Sequence, residues 1–434
     1  MKIAVVGTGY VGLVTATCLA ELGHSVIGMD KDEAKIRIIL SGRAPFYEPG
    51  LDELLASNLK KGHLRFSSDR AEAIRAAEVI FVCVGTPPQE DGSADMSQIE
   101  EVARMIAENL NGYKLVVEKS TVPVKTSFWI KRVMSSFKKS EHPFDVASNP
   151  EFLREGSGVG DFMSPDRVII GVETERARDL LVRIYERFKD RIVITNIDTA
   201  ELVKHASNSF LALKISFINM IADLCERTDA DVEMVARGMG LDPRIGGSFL
   251  KAGLGYGGSC FPKDVKALAK IGSGLGVDMT LLRDVDAVND DRIRIFMEKI
   301  RRALWILKGK TVGILGLAFK PETDDIREAP SIKVIRELLK QGAFLRLYDP
   351  KAASNMKELF PEDSQAVSYV ASPYQAAQDA HILLILTEWE EFRTLDLARV
   401  KTLMANPILI DGRNVFDPAA VRALGFEYAS IGRK

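Results

Sequence analysis

The first thirty residues carry the feature that most restricts the fold of this chain. The apolar segment Lys2–Val6 runs into a Gly-Thr-Gly-Tyr-Val-Gly turn and a helix-like stretch, and a second apolar segment ends at Asp30. A strand, a G-x-G-x-x-G turn and a helix in this order predict a βαβ unit that binds a dinucleotide. Gly7 permits the tight turn, Gly9 lets a pyrophosphate approach the backbone, and Gly12 allows the helix to pack closely on the strand.

Asp30 indicates which dinucleotide binds. A carboxylate at the end of the second strand can bond both ribose hydroxyls and would repel a 2′-phosphate, so it favours NAD over NADP. Lys31 and Lys35 beside it soften that preference. The alternative is a glycine turn in an α/β fold that binds no nucleotide.

Three further apolar segments end in polar residues. The segments begin near Glu78, Lys114 and Phe144, and in doubly wound sheets ligands lie beyond the carboxyl ends of such strands. Turn chemistry is the alternative for the hydroxyls, and helix capping for the carboxylates, which share one face if Pro150 begins a helix. The candidate pocket residues at these ends are Thr86, Ser120, Thr121, Glu151 and Glu155.

The sequence changes from strand-rich to helical after Asp198. The stretch Thr199–Arg227 contains no Gly or Pro and predicts a long central helix, on which Lys204 and Asn208 share a face. Because apolar residues surround this pair, it lies either on a solvated surface or in a cleft. Asn219 and Asp223 continue the polar pattern, and more helical sequence follows to about residue 308.

A glycine-rich loop at 253–264 carries Cys260. Its glycines let the backbone approach a ligand, Lys263 favours a thiolate, and Asp264 is a possible proton acceptor. These features predict a nucleophile, and the alternative is a buried structural cysteine. The four cysteines of the chain contain no Cys-x-x-Cys pair, which disfavours a zinc site and a disulfide framework.

From Lys310 onward the opening architecture returns. A strand and a glycine turn precede a helix that ends near Lys340, and the next strand ends at Asp349. The turn lacks the second and third glycines, so it predicts a second doubly wound domain that binds something other than NAD. Three cations near its carboxyl edge suggest anion recognition, with scattered surface charge as the alternative: Lys320, Arg327 and Arg413.

These patterns predict an α/β chain with two Rossmann-like doubly wound domains joined by a central helical domain with a long helix. The predicted boundaries are 1–198, 199–308 and 309–434. A formal net charge of −2 gives no bulk attraction to nucleic acid, and no apolar run approaches the ~20 residues of a membrane span. The strand at Lys2 follows no basic leader, so we expect a cytoplasmic protein without a membrane partner.

Several of these motifs together resemble the UDP-glucose/GDP-mannose dehydrogenase family, and the resemblance covers all three regions. It rests on Gly7–Gly12, Glu118–Pro123, Asn149–Gly156, Lys204 with Asn208, the Cys260 loop, and Phe319-Lys320 with Asp325-Ile-Arg327. The resemblance implies that two NAD+ oxidise the 6-hydroxymethyl group of UDP-glucose to the carboxylate of UDP-glucuronate. A Cys260 thiohemiacetal and thioester would carry the second oxidation. A homodimer or higher homo-oligomer is implied as well.

The resemblance also assigns roles to residues. Cys260 would be the nucleophile, Lys204 an oxyanion stabiliser or proton-transfer partner, and Asn208 a donor to the oxyanion or sugar. Asp264 would handle the water, and Thr121 with Glu155 would flank the first oxidation. The implied NAD contacts are Gly7, Thr8, Gly9, Tyr10, Val11, Gly12, Asp30, Lys35, Thr86, Thr121, Glu155, Lys263 and Arg327. The implied substrate contacts are Glu151, Phe152, Leu153, Arg154, Glu155, Lys204, Asn208, Arg244, Phe249, Leu250, Lys251, Ala252, Gly253, Gly257, Lys320 and Arg413.

Two kinds of alternative remain. The same chemistry could act on GDP-mannose or a UDP-N-acetylhexosamine, although Ser259 stands where the hexosamine enzymes typically carry His. A catalytically silent NAD-binding scaffold is the alternative from another class of protein. The joint presence of Cys260, Lys204, Asn208 and Asp264 argues against it.

Overall fold

Residues 1–89, 91–363 and 366–434 are described by the computed structural model, and their contacts fall into two units. The first unit comprises Met1–Ser207 and Lys270–Val277, and the second comprises Asn208–Ala269 and Asp278–Lys434. This division falls inside the long central helix. The three domain boundaries drawn from the sequence stay predictions.

An eight-stranded sheet forms the centre of the first unit. Its spatial order is β3-β2-β1-β4-β5-β6-β7-β8, with parallel neighbours except for the antiparallel pair β6 and β7. The first six strands follow the 3-2-1-4-5-6 order of doubly wound dinucleotide-binding domains. The strands are β1 Lys2–Val6, β2 Ser25–Met29, β3 Leu64–Ser67, β4 Val79–Val82, β5 Lys114–Glu118, β6 Phe144–Ser148, β7 Val168–Gly171 and β8 Ile192–Thr195.

Helices cover both faces of the centre of this sheet, which is why β1 and β4 are almost entirely buried apolar runs. In β1, Ile3 and Val5 pack into one core layer, while Ala4 and Val6 pack into the other. A 3₁₀ helix at Glu186–Arg191 precedes β8. The helices are α1 Tyr10–Glu21, α2 Glu33–Leu40, α3 Leu51–Lys61, α4 Arg70–Ala76, α5 Ser97–Glu108, α6 Thr126–Phe137, α7 Gly158–Met163 and α8 Glu175–Ile184.

The middle of the chain is helical, as predicted. It consists of α9 Ile197–Arg227, α10 Val232–Gly240, α11 Phe261–Gly274 and α12 Thr280–Ala303. Among the described residues, only α9 is long and apolar enough for a membrane span, a test that the core helix of a soluble protein also passes. In the second unit, α9 and α12 contribute Ile218, Ala222 and Phe296 to the core that covers one face of a second sheet.

That second sheet repeats the order of the first. Its six strands are all parallel and lie in the order β11-β10-β9-β12-β13-β14. The predicted fold class, two Rossmann-like sheets with a central helical region, is therefore confirmed. The strands are β9 Thr311–Leu315, β10 Phe344–Tyr348, β11 Val367–Tyr369, β12 Ile382–Ile385, β13 Ile408–Asp411 and β14 Glu427–Ala429. The helices are α13 Pro330–Lys340, α14 Ala353–Leu359, α15 Pro373–Ala377, α16 Glu390–Arg393, α17 Leu397–Leu403 and α18 Pro418–Ala423.

The two sheets also share a hydrogen-bonding device. Asp30, after β2, accepts from the amide and hydroxyl of Thr8, both at 2.8 Å. Asp349, after β10, accepts from the amides of Leu317 at 2.7 Å and Ala318 at 3.1 Å. In both sheets, a carboxylate at the end of the second strand holds the turn that follows the first strand.

Replacing Asp349 by Ala should destabilise the second unit strongly. Its carboxylate also accepts from the amides of Lys351 and Ala352 and from the indole of Trp389, so the variant leaves five donors without this acceptor. We expect a loss of about 3 kcal/mol, seen as a lower midpoint in urea unfolding. Asp229→Ala is the control because that carboxylate is 99% exposed and pairs with Lys434 in a surface contact. Equal midpoints for the two variants would contradict this account.

Candidate active site

The glycine turn of the first unit has the geometry that the sequence predicts. Gly7 adopts φ +93°, and its amide donates to Met29 at 2.8 Å. A Cβ on Gly12 would lie 1.8 Å from the carbonyl oxygen of Gly7, whereas a Cβ on Gly9 would meet no atom within 4 Å. Gly12 is therefore required by helix packing, and Gly9 borders open space beside the start of α1.

Asp30 is held in its ionised form beside this turn. Burial alone would raise the pKa of Asp30, but hydrogen bonds from Thr8 and the Asp32 amide, with the charge of Lys35, hold it below its usual value. The Lys35 ammonium lies 3.2 Å from the carboxylate. An ionised acceptor at this position suits a ribose with free hydroxyls.

A cleft opens between the turn and the neighbouring strand ends. It brings together the predicted residues Gly7, Gly9, Asp30 and Lys35 with Arg70 and Gln98, which sequence reasoning missed. Arg70 begins α4 and pairs with Glu101 at 2.6 Å. No motif marked Arg70, because its place in the cleft depends only on how α4 packs beside β2.

The ends of β4 and β5 meet, as the predicted sheet requires. The Thr86 hydroxyl donates to the carbonyl of Thr121 at 2.8 Å. The Ser120 hydroxyl donates to the Val84 carbonyl at 2.8 Å and is buried, so it serves the turn. Thr86 and Thr121 therefore stay candidate pocket residues, while Ser120 fits the turn-chemistry alternative.

No helix begins at Pro150, so the condition for a shared face of Glu151 and Glu155 is not met. The chain between β6 and the start of α7 at Gly158 is not helical, so Glu151 and Glu155 do not share a helical face. Instead, the Glu151 carboxylate pairs with the Lys204 ammonium at 2.8 Å, and both side chains are 4% exposed. A buried cation, rather than a helix N-terminus, satisfies this carboxylate.

Lys204 and Asn208 are both buried, so this face of α9 is not a solvated surface, and the cleft interpretation stays a prediction. Within the first unit, the Lys204 ammonium lies near Glu151 and 5.4 Å from the ring centre of Phe152. Within the second unit, the Asn208 amide donates to Asp264 at 2.6 Å. Asp264 is fully buried and pairs with Lys263 at 3.0 Å.

Cys260 lies directly before α11 and differs from the other cysteines. Its carbonyl accepts the Asp264 amide at 2.9 Å, the first hydrogen bond of the helix, and its thiol is half-buried. The positive end of the helix dipole favours a thiolate here. In the sequence only Lys263 indicated a favourable charge, because the start of α11 was not predicted. In contrast, burial raises the pKa of Cys18 and of Cys83 to about 12, as expected of structural cysteines.

The glycines before Cys260 approach protein rather than open space. A Cβ on Gly257 would lie 2.4 Å from the Glu328 carbonyl, and one on Gly258 would lie 2.7 Å from the Phe319 ring. Two asparagine side chains hold the loop. The Asn219 Oδ1 accepts the Gly253 amide at 2.8 Å, and the Asn289 side chain bonds both backbone groups of Tyr256. Asn289 was not predicted, because a single Asn in a helix carries no distinguishing pattern.

The three predicted cations of the second sheet have different environments. Arg413 donates to the carbonyls of Leu386, Phe319 and Gly255, at 2.8, 3.1 and 3.3 Å, and so ties the cysteine loop to two strand ends. Lys320 lies 5.4 Å from the Phe319 ring centre, beside the same loop. Arg327 faces Asp325 at 2.7 Å.

The remaining candidate substrate contacts lie at 244 and 249–252. Arg244 is 87% exposed and pairs with Asp242 at 2.6 Å. Phe249 adopts φ +65°, an uncommon conformation for a non-glycine residue that marks a strained backbone. Leu250 and Ala252 are buried, and Lys251 is exposed.

A 3-2-1-4-5-6 sheet with a glycine turn after its first strand and an ionised Asp after its second is typical of an NAD-binding domain. Comparison with known proteins gives the family. Three domains of the UDP-glucose/GDP-mannose dehydrogenase family match in sequence order: the NAD binding domain at 1–189, the central domain at 198–291 and the UDP binding domain at 313–418. The chain belongs to this family.

Individual relatives match along the whole chain. The UDP-glucose 6-dehydrogenase of Rhizobium meliloti is 46% identical over 440 residues, covering all of both chains. The UDP-glucose 6-dehydrogenase TuaD of Bacillus subtilis is 45% identical, covering all of this chain and 93% of that one. The solved UDP-glucose dehydrogenase of Pyrobaculum islandicum superposes with a TM-score of 0.93 at 39% identity, covering 100% of this chain and 98% of that one.

Two glycine variants should separate folding from NAD binding. Gly12→Ala forces a Cβ against the Gly7 carbonyl, so we expect it to lower stability by about 3 kcal/mol. Gly9→Ala fits the unliganded protein, but its methyl group would occupy the side that a pyrophosphate approaches. It should keep the wild-type melting temperature and weaken NADH binding by about tenfold or more, measured by fluorescence titration. Wild-type NADH affinity in Gly9→Ala would refute this assignment.

Proposed function

We propose that this enzyme oxidises UDP-glucose to UDP-glucuronate with two NAD+ per sugar, through a covalent intermediate on Cys260. The observation that carries the proposal is the half-buried Cys260 thiol at the N-terminus of α11, unlike the three buried cysteines. An aldehyde can lose a second hydride only after a nucleophile has added to its carbonyl carbon, which gives an alcohol that still carries the C–H bond. A thiolate adds to an aldehyde in this way.

The reaction has three kinds of step: hydride transfer, addition of the thiolate and hydrolysis. NAD+, held at the 7–12 turn and Asp30, would supply the hydride acceptor for each of the two oxidations at C6 of the sugar. The Cys260 thiolate adds to the C6 aldehyde and the resulting oxyanion takes a proton, which gives a thiohemiacetal. After the second oxidation has produced a thioester, water adds to its carbonyl carbon and Cys260 leaves as thiolate, releasing the carboxylate.

The paired polar groups suit the charges that develop. Lys204, buried beside Glu151, can transfer a proton or stabilise an oxyanion. The Asn208 amide gives one N–H to Asp264, and its second N–H can donate to substrate. Asp264, buried beside Lys263, can accept a proton from the attacking water. Thr121 and Glu155 would flank the first oxidation.

Support for UDP-glucose as the sugar comes from the relatives and from one residue. The relatives are named for this substrate, and the third family domain is a UDP binding domain. Ser259 immediately precedes Cys260, and its hydroxyl lies 3.6 Å from the thiol. GDP-mannose and UDP-N-acetylmannosamine are the alternative substrates for the same chemistry.

Counting NADH per sugar tests the reaction and the substrate together. Each of the three nucleotide sugars is incubated with the protein and NAD+, and NADH and product are quantified. We expect two NADH per UDP-glucose, with UDP-glucuronate as the product and no free aldehyde. One NADH per sugar with aldehyde released would exclude the covalent route. Turnover of another sugar alone would reassign the substrate, and no turnover with any would favour the silent scaffold.

Cys260→Ser should reduce formation of UDP-glucuronate by about 10²-fold or more, because a hydroxyl is a much weaker nucleophile. The matched control is Cys225→Ser, a buried cysteine outside the site, which should keep turnover close to wild type. Full turnover by Cys260→Ser would eliminate the thioester mechanism.

We also propose a homodimer formed through α9. Phe210, Phe217 and Leu224 are exposed at seven-residue spacing along this helix, at 60%, 39% and 57%, and Met220 lies between them at 46%. Large apolar residues at this spacing form one stripe on the helix surface. A second copy of the chain can cover such a stripe with the same stripe of its own.

Charges in this stripe should therefore separate the subunits. The double variant Phe210→Lys/Phe217→Lys should elute as a monomer when the wild type elutes as a dimer, measured by light scattering after size exclusion. Leu359→Lys, on α14, is the control because it places the same charge at an apolar residue that is 51% exposed elsewhere. A monomeric wild type, or a dimeric double variant, would contradict the proposal.

A further inference from the structure

Glu48 lies between α2 and α3, and no role was predicted for it. Its side chain is buried, with 5% exposure for the residue, yet its carboxylate accepts four hydrogen bonds. One oxygen accepts from the Tyr10 hydroxyl at 2.8 Å and the Gly156 amide at 2.6 Å. The other accepts from the amides of Gly158 at 2.7 Å and Val159 at 3.4 Å.

These donors come from two segments that are far apart in the sequence. Tyr10 is the first residue of α1 and belongs to the glycine turn of the NAD site. Gly156, Gly158 and Val159 directly follow the candidate substrate segment 151–155. The Tyr10 hydroxyl also lies 3.0 Å from the Arg154 carbonyl, so the two segments meet at the Glu48 carboxylate.

The contact between the segments is tight as well as polar. A Cβ on Gly158 would lie 2.2 Å from the Tyr10 hydroxyl oxygen, so only glycine fits there. The Tyr10 ring also packs on Phe46, with 5.3 Å between ring centres. Burial raises the pKa of Tyr10 far above its usual value, which keeps the hydroxyl protonated and able to donate.

We propose that Glu48 is a positioning residue that couples NAD binding at the 7–12 turn to the order of the substrate segment 151–155. Both oxygens of Glu48 accept from donors, so this one carboxylate gathers a hydroxyl and three amides from two segments. A ligand that stabilises Tyr10 in this arrangement also stabilises the amides at 156–159, and the coupling is reciprocal. The identity of the sugar rests on the function proposed above, whereas the coupling itself does not.

Hydrogen exchange with NADH alone tests the coupling without any sugar. In the wild type, NADH should slow exchange of the amides of Gly156, Gly158 and Val159 as well as those of the 7–12 turn. In Tyr10→Phe, which removes one hydroxyl and keeps the ring, NADH should slow exchange in the turn but no longer at 156–159. Tyr113→Phe is the matched control, because Tyr113 donates to Asp145 at 2.7 Å elsewhere in the same unit. It should behave as the wild type does.

A second measurement tests the reciprocal direction. NADH and UDP-glucose cannot react with each other, so the NADH dissociation constant can be measured with and without the sugar. The sugar should tighten NADH binding by about fivefold or more in the wild type, and by less than about twofold in Tyr10→Phe and in Glu48→Gln.

The outcomes separate the two proposals. If NADH slows exchange at 156–159 equally in the wild type and in Tyr10→Phe, or does not slow it in the wild type, the role of Glu48 is refuted. If the exchange results are as expected but UDP-glucose neither binds nor turns over, the coupling through Glu48 is supported and UDP-glucose as the substrate is refuted. Glu48→Gln alone cannot decide the matter if it fails to fold, so Tyr10→Phe carries the test.

Discussion

The structure depends on one constraint: in parallel sheets buried on both faces, every polar side chain needs a hydrogen-bond partner. Such sheets accept few polar side chains within their strands, so these collect after the strands end, where each must find a partner. Three strand ends meet this need with an aspartate. Asp30 and Asp349 hold the turns after β1 and β9, and Asp411 accepts from three amides and the Tyr428 hydroxyl. The turn geometry of both sheets, and hence the cofactor cleft in the first, follows from these pairings.

The same requirement shapes the catalytic candidates. Glu151 is buried and paired with buried Lys204 in the first unit. Asp264 is buried in the second unit, where it pairs with buried Asn208 and half-buried Lys263. Breaking one member of such a set leaves a buried charge without its partner, so each group is held in one place. Burial also disfavours the charged form of a group: it lowers the pKa of the Lys119 ammonium, next to β5, to about 8. Groups held in this way need little reorganisation when charge develops on a substrate.

Much of this was predictable, and the errors have identifiable causes. The βαβ opening, the long helix from near 199 to 227 and the second sheet follow from apolar periodicity and glycine spacing, which depend on neighbours in sequence. The shared face of Glu151 and Glu155, which required a helix at Pro150, does not occur. Local patterns could not reveal the partner of Glu151, because Lys204 lies more than fifty residues away. Asn289 and Glu48 were missed for the same reason: each holds a loop through contacts distant in sequence.

The sequence by itself determined the two doubly wound sheets and the preference for NAD, and it singled out Cys260 as the candidate nucleophile. These depend on local patterns: strand, glycine turn, strand-end carboxylate, and a cysteine within a glycine-rich loop. Only the tertiary structure decided that Lys204 and Asn208 are buried, that α11 begins directly after the thiol, and that Glu48 joins two segments. Burial and hydrogen-bond partners are properties of the packed chain, because the atoms that create them come from residues that the sequence keeps far apart.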